Sequence, residues 1–183
     1  MSIITDELYE RFKSNLEGAG GSVVRSSKAD LGKTVADLFK GYGATTACLC
    51  ESPLIKEAEV CSAMKGAGIE THTDHIRKYG ETAIGGCSEA AFGIAELGTL
   101  VQADTDVRAR EVAIMPDYYI GIVKGSTIKP TYDEMFLEIG KWNEMPAFVG
   151  FITGPSRTAD IECVATIGVH GPLKLTAVVV EDE

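Results

Sequence analysis

One arginine in this chain has neighbours that suit the binding of an anion. Arg157 lies between the hydroxyl residues Ser156 and Thr158, and the carboxylates Asp160 and Glu162 follow closely. A guanidinium beside hydroxyls and turn N–H groups is able to hold a carboxylate or a phosphate through several hydrogen bonds. The alternative is that Arg157 pairs with one of the two carboxylates and only fixes the loop.

Proton transfer is the second chemistry that these residue types offer. Asp160 and Glu162 are two residues apart and share one face of the segment if it is extended, and paired carboxylates do acid–base work when their environments differ. A structural ion-pair network is the alternative. His170 lies in a glycine-rich turn, residues 168–172, and an imidazole moves protons or binds metal near pH 7.

A third candidate region is the turn from Glu96 to Thr99. The pattern predicts that Glu96 ends a helix, where its carboxylate would oppose the helix dipole, so we expect it to pair with Arg157 or Arg108. Gly98 suits the position after a helix, and Thr99 begins the next predicted strand.

The elements around the arginine explain how it would be presented. Residues 147–152 form an apolar run long enough for one buried strand, and turn formers follow at residues 153–156. A second turn at residues 168–172 precedes the last predicted strand. Ligands of open α/β sheets lie beyond the carboxyl ends of strands, so a polar loop between two strands is typical of a site. We expect residues 154–162 and residues 168–172 to meet at one edge of the sheet.

Strands and helices alternate along the whole chain, which predicts an α/β fold with a mostly parallel sheet covered on both faces. Strands are predicted at residues 22–26, 45–50, 69–71, 82–86, 99–103, 118–124, 147–152 and 174–180. Helices are predicted after a cap at Ser2 or Thr5, then at residues 30–40, 54–65, 74–79, 88–96 and 131–142. Residues 104–110 are predicted to be a polar connection.

Two ordered blocks resemble the LUD-domain family, which includes the lactate utilisation protein C group. The first block is Gly-Pro-Ser-Arg-Thr-Ala-Asp-Ile-Glu at residues 154–162, followed by Gly-Val-His-Gly-Pro at 168–172. The second, Ile-Ala-Glu-Leu-Gly-Thr-Leu-Val at residues 94–101, is similar to the Ala-Glu-Thr-Gly-Thr-Leu motif of the family. Leu97 departs from that motif, because a threonine is usual there.

The resemblance implies a three-layer fold similar to the ribose-phosphate isomerase and CoA-transferase group. It also implies an accessory subunit of an L-lactate oxidation system that acts beside iron–sulfur proteins and binds a small carboxylate. The ligand-binding residues implied are Gly154, Ser156, Arg157, Thr158, Thr99 and His170, and the catalytic candidates are His170, Glu96 and Asp160.

Composition limits the possible partners. The 183 residues suit one domain, residues 1–183, and 45% are apolar, as in ordinary globular proteins. A net charge of −10 argues against nucleic acid or an anionic membrane, because both require a basic face. No membrane span and no signal-peptide pattern occurs, so we expect a cytoplasmic protein.

The cysteines and histidines give no cofactor signature. The five cysteines are scattered without a Cys-x-x-Cys pair, and no Gly-x-Gly-x-x-Gly follows a strand. We therefore expect no bound metal, iron–sulfur cluster, flavin or nicotinamide. Cys87, at a predicted helix start, is the one thiol whose pKa the pattern would lower. His72 and His75 are three residues apart but lie in a polar segment typical of a solvated loop.

Three functions remain open from the sequence. The first is the accessory subunit implied by the resemblance. The second is a stand-alone isomerase or transferase, with Glu89, Glu96, Asp160 and His170 as acid–base candidates. The third is a small-molecule binding module without catalysis. Co-purification of an iron–sulfur protein would favour the first function. Turnover of a sugar phosphate or a CoA thioester by the isolated chain would favour the second, and stabilisation by a ligand without turnover would favour the third.

Overall fold

The computed structural model describes residues 4–159 and 163–183, and strands and helices alternate through both ranges. The strands are β1 (Ser22–Ser26), β2 (Thr46–Leu49), β3 (Glu70–His72), β4 (Gly85–Ala90), β5 (Phe92–Ile94), β6 (Thr99–Asp104), β7 (Tyr118–Lys124), β8 (Ile128–Lys129), β9 (Phe148–Ile152), β10 (Arg157–Thr158), β11 (Thr166–Ile167) and β12 (Lys174–Val180). The helices are α1 (Asp6–Gly18), α2 (Leu31–Gly41), α3 (Pro53–Glu57), α4 (Val60–Gly66), α5 (Ile76–Tyr79), α6 (Val107–Ile114) and α7 (Tyr132–Ile139).

Six parallel strands form the central sheet, in the order β1-β12-β7-β4-β2-β3. The neighbouring interior strands β7 and β12 are nearly continuous apolar runs, and Ile120, Ile122 and Val178 are fully buried. Strands of a parallel sheet have this composition because both of their faces are covered. The predicted α/β class with a mostly parallel sheet is confirmed.

Two hydrophobic clusters cover the opposite faces of this sheet. On one face, α2, α3 and α4 pack through Leu31, Phe39 and Met64 against side chains such as Cys87 and Ile120. On the other face, α1 packs through its buried Phe12 and Leu16 against Tyr119 and Val179. The sheet is therefore the middle of three layers.

A second, four-stranded sheet lies in the same layer as α1, in the order β8-β5-β6-β9. Leu100 of β6 is in the same core cluster as Tyr119, and α7 covers the far side through Met135 and Ile139. The strand predicted at residues 147–152 exists as β9, but it is not buried. It lies at the edge of this small sheet, and Phe151 is 43% exposed.

Two predicted helices and one predicted connection required correction. Residues 88–94 contain the end of β4 and all of β5. The extended form of β4 is supported by buried Ser88, which bonds the Tyr119 hydroxyl of the same sheet (2.8 Å) and the Gln102 amide of the second sheet. The helix α6 begins within the predicted polar connection and continues beyond it to Ile114, and Asp106 caps this helix by accepting from the Arg108 N–H. The helix predicted at 54–65 is divided at Glu59, whose φ of 50° is left-handed.

Side chains cap the start of several helices, and the cap at Thr5 is one of the two that the sequence predicts. Thr5 accepts from the Leu8 N–H at the start of α1, and Ser52 accepts from the Ile55 N–H before Pro53 of α3. Residue 2, the other predicted cap, lies outside the described residues. Among the helices of the described ranges, none has the length and apolar character needed to cross a membrane.

Gly86 tests the close packing of α6 on the parallel sheet. A Cβ at this position would lie 2.0 Å from the Val112 carbonyl oxygen, so Gly86→Ala must displace the helix. We expect a loss of about 3 kcal/mol in the free energy of unfolding, measured by urea denaturation. Gly66→Ala is the matched control, because nothing lies within 4 Å of its added Cβ at the end of α4. It should be neutral or stabilise by up to about 1 kcal/mol, and equal losses in both variants would contradict the packing argument.

Candidate functional site

The two turns of the polar loop are in direct contact. The Ser156 N–H donates to the Pro172 carbonyl oxygen (2.9 Å), and the Gly168 N–H donates to the Ser156 carbonyl oxygen (3.0 Å). Antiparallel pairing of β10 with β11 places Arg157 opposite Ile167. The predicted meeting of residues 154–162 with residues 168–172 is confirmed for the part that the structure describes, residues 154–159. Asp160 and Glu162 fall outside the described residues.

This loop lies at the amino edge of the parallel sheet, not beyond its carboxyl ends. The Leu173 N–H donates to the carbonyl oxygen of Asp117, the residue before β7 (2.7 Å). Lys174 begins β12 and pairs with Tyr118, which also pairs with Gly85 at the start of β4. The sequence argument from strand ends is wrong on this point, because β9 belongs to the second, mixed sheet, and its carboxyl end leads to the amino edge of the parallel sheet.

The C-terminal turn of α1 supports the arginine loop. Gly154 has a φ of 75°, and a Cβ there would lie 2.4 Å from the Ala19 carbonyl oxygen, so only glycine fits this close approach. The guanidinium of Arg157 donates through Nη2 to the same Ala19 oxygen (2.5 Å). A cation at a helix C-terminus interacts favourably with the helix dipole and with the unpaired carbonyls. Arg157 therefore has a structural role at this point.

Much of Arg157 remains available to solvent. The residue is exposed, and in the ranges that the structure describes only one of its N–H groups has a recorded acceptor. Ser156 lies beside it, and Gly171 of the histidine turn approaches so closely that an added Cβ would lie 3.0 Å from the Ser156 Cβ. Thr158 is half-buried in β10. Arg157, Ser156 and the turn that carries exposed His170 thus share one surface.

The second sequence block packs on the same helix. Gly98 has a φ of 61°, and a Cβ there would lie 2.1 Å from the backbone nitrogen of Leu16. The Asn15 amide donates to the carbonyl oxygens of Ala95 (2.8 Å) and Glu96 (3.1 Å). The Thr99 hydroxyl bonds the Thr153 hydroxyl (2.5 Å), which joins this block to the arginine loop. The sequence analysis missed Asn15, whose position near a helix end was the one available signal.

Glu96 does not end a helix, and it pairs with neither Arg157 nor Arg108 in the described residues. Its carboxylate accepts from the Tyr132 N–H (3.0 Å) at the start of α7. The dipole of a helix favours an anion at the N-terminus, so the Glu96 carboxylate is stabilised by α7. The predicted helix that Glu96 was expected to end does not exist. The next residue, Leu97, stands where the family motif usually has a threonine. Its side chain is not buried, since the residue is 43% exposed.

Arg108, the other cation expected to pair with Glu96, is already neutralised. It forms ion pairs with Asp106 (2.5 Å) and Asp74 (3.4 Å) near the carboxyl edge of the sheet. Hydrogen bonds from Arg108 hold the pKa of the Asp106 carboxyl below its usual range. An incoming anion would have to displace two carboxylates, which makes Arg157 the better candidate.

The histidines and cysteines also differ from the pattern-based expectations. His72 stacks on Tyr79 with ring centroids 3.8 Å apart, while His75 is exposed before α5, so they share no helix face. No group of three or more potential metal ligands occurs within residues 4–159 and 163–183. Cys87 is fully buried in the middle of β4, and burial raises the pKa of its thiol. The proposed lowering of that pKa is wrong, because the predicted helix start does not exist.

Comparison with known proteins gives a consistent result. Residues 9–180 match the sequence profile of the LUD domain. Lactate utilization protein C of Halalkalibacterium halodurans is 31% identical, covering 87% of this chain and 73% of that protein. Lactate utilization protein C 1 of Bacillus mycoides is also 31% identical, covering 97% and 81%. A crystal structure of a DUF162 family protein from Deinococcus radiodurans has the same fold, with a TM-score of 0.64, 19% identity and coverage of 95% and 96%.

Thiol labelling tests the placement of the cysteines. Cys50 is 8% exposed and burial raises its pKa to about 11, so its thiolate fraction at pH 8 should be about a hundredfold below that of a free cysteine. We expect iodoacetamide to modify exposed Cys163 first and to reach Cys48, Cys50 and Cys87 only in urea, as followed by peptide mass spectrometry. Cys163→Ser removes the rapid phase and is the control. Rapid native labelling of Cys87 would contradict its burial.

Proposed function

Because the chain belongs to the LUD-domain family, we propose that it is an accessory subunit of an L-lactate utilisation system. In this proposal the redox centres reside in iron–sulfur partner proteins, and this chain binds a small carboxylate at the Arg157 loop. The names of two relatives that are 31% identical support the lactate role. The lack of a metal-ligand cluster in the described residues is compatible with redox centres carried elsewhere.

The exposed guanidinium beside Ser156 is the observation that carries the carboxylate part of the proposal. Arg157 uses one Nη2 hydrogen bond to Ala19, which holds the guanidinium in place at the loop surface. A pre-positioned guanidinium loses less conformational freedom on binding than a mobile one. The neighbouring hydroxyl of Ser156 and the imidazole of His170, on the adjoining turn, supply further polar groups. Together they suit a hydroxy-carboxylate or a carboxylate of a partner protein.

A stand-alone enzyme is the second candidate, and one ion pair favours it. Glu89 of β4 and Lys124 of β7 pair at 3.1 Å near the carboxyl ends of two central strands, where α/β enzymes place their sites. The Glu89 side chain is 17% exposed, so it is largely buried but still accessible to a small molecule. Turnover of a sugar phosphate or a CoA thioester by the isolated chain, abolished by Glu89→Gln, would favour this candidate over the subunit role.

Affinity purification under anaerobic conditions tests the subunit role. We expect the tagged chain, expressed in its source cell during growth on L-lactate, to retain proteins whose visible spectrum shows iron–sulfur absorption. The spectrum should be absent from the chain purified alone after a high-salt wash. Growth on glucose is the control, and a colourless preparation without lactate-dependent partners would contradict the role.

Two substitutions of Arg157 test the carboxylate site. Arg157→Lys keeps the charge but loses the bidentate fork, and Arg157→Ala loses both, so the affinity for L-lactate should fall in that order. Because charge-assisted hydrogen bonds contribute about 1.5–3 kcal/mol each, we expect at least a tenfold loss for Arg157→Ala, measured by calorimetry. Arg77→Ala, on exposed α5, is the matched control.

Melting temperatures of the same variants separate ligand binding from structural support. Loss of the bond to Ala19 should lower the melting temperature of Arg157→Ala even without lactate. Lowered stability with unchanged lactate affinity would leave Arg157 as a structural residue and end the ligand hypothesis.

A further inference from the structure

Three aromatic side chains form an exposed cluster where α7 meets the edge strand β9. The ring centroid of Tyr132 lies 4.6 Å from Phe136 and 5.8 Å from Phe151, and the two phenylalanines are 6.1 Å apart. The three residues are 40%, 43% and 43% exposed, and the neighbouring Leu137 is 67% exposed. We refer to Tyr132, Phe136, Leu137 and Phe151 as the aromatic patch.

The composition of α7 does not follow from packing within this chain. Its inner side is satisfied by Met135 and Ile139, which are buried on the second sheet. A surface helix normally presents polar residues outside its buried stripe, yet α7 presents Phe136 beside that stripe and Leu137 opposite it. Contiguous exposed apolar surface is unfavourable in water and marks interaction sites, and aromatic residues often dominate the energy of such interfaces.

Negative charge borders the aromatic patch. Glu96, whose carboxylate contacts the Tyr132 N–H, and the helix residues Asp133 and Glu134 are exposed. None of these three carboxylates has a recorded ion pair within the described ranges. The nearby cations do not offset them, because Lys129 and Lys141 both pair with Glu138 (3.7 and 2.8 Å). The border is therefore acidic, in a chain whose net charge is −10.

We propose that the aromatic patch is a docking surface for a protein whose contact face has an apolar centre bordered by lysine or arginine. Charge complementarity selects this occupant, because unlike charges steer encounter and like charges penalise wrong partners. A second copy would bring the same carboxylates to the contact, and an anionic membrane would be repelled. The inference rests on the proposed function in one respect, since it identifies the surface through which the accessory subunit would contact a partner protein.

Site-specific photo-cross-linking tests the surface in the intact chain. Leu137→p-benzoylphenylalanine places the reactive group on the most exposed residue of the patch without altering the aromatic cluster. Lys65→p-benzoylphenylalanine, on exposed α4 behind the opposite face of the parallel sheet, is the matched control. We expect position 137 alone to capture one heterologous protein in the source cell, through a segment with basic residues around an apolar one.

A synthetic peptide of the captured segment then measures the two contributions separately. Phe151→Ser should weaken its binding to the purified chain about thirtyfold, as expected for an aromatic anchor of an interface. The combined change Glu96→Gln, Asp133→Asn and Glu134→Gln should weaken binding about tenfold at low salt, and less at high salt. Ile114→Ser, an exposed apolar residue of α6, is the control that should leave binding unchanged. Circular dichroism of each variant verifies folding.

Each other outcome overturns the inference. These outcomes are capture of a second copy, capture of lipid, capture through a segment without basic residues, and no capture above the Lys65 control. The result is separable from the proposed function. A basic partner without iron–sulfur absorption would support the surface and count against the redox role, whereas iron–sulfur partners captured only elsewhere would do the reverse.

Discussion

The contact between the C-terminal turn of α1 and two glycines is the constraint on which the rest of the site depends. Gly154 approaches the Ala19 carbonyl and Gly98 approaches the backbone of Leu16, and both have positive φ values. A side chain at either glycine would strike helix backbone rather than a movable side chain. The two sequence blocks are therefore held in register by one helix end, and the Thr99–Thr153 hydroxyl pair joins them directly.

The same helix end sets the electrostatics of the loop. Helix C-termini present carbonyl oxygens and the negative end of the dipole, which disfavours an anion nearby. The positive charge of Arg157 offsets this effect, because its guanidinium donates a hydrogen bond to the Ala19 carbonyl oxygen while the arginine remains exposed to solvent. At the amino edge of a parallel sheet, an anion site thus requires a side-chain cation, whereas at the carboxyl edge helix N-termini supply the positive potential. This difference makes the charge of Arg157, and not backbone N–H groups alone, the central element of the proposed carboxylate site.

Burial determines which chemically reactive groups remain available. Cys87, Ser88 and Tyr119 lie in the core between the layers, where burial raises the pKa of the Cys87 thiol and of the Tyr119 phenol. The exposed groups are instead those of the arginine loop, the carboxylates near α7 and the aromatic patch. Near the carboxyl edge of the sheet, the Glu89–Lys124 and Arg25–Glu181 pairs are partly sheltered from solvent.

The sequence by itself determined the α/β class, the bounds of β1, β7 and β12, and the meeting of the two turns, because apolar runs and turn residues act locally. It did not determine that residues 88–96 are strands, since the Ser88, Tyr119 and Gln102 hydrogen bonds that favour them join distant segments. Nor did it determine which way β9 runs relative to the parallel sheet. The hydrogen bond between Glu96 and the Tyr132 N–H and the one between Arg157 and the Ala19 oxygen were likewise not predictable. Those features depend on which elements become neighbours, and only tertiary packing decides that.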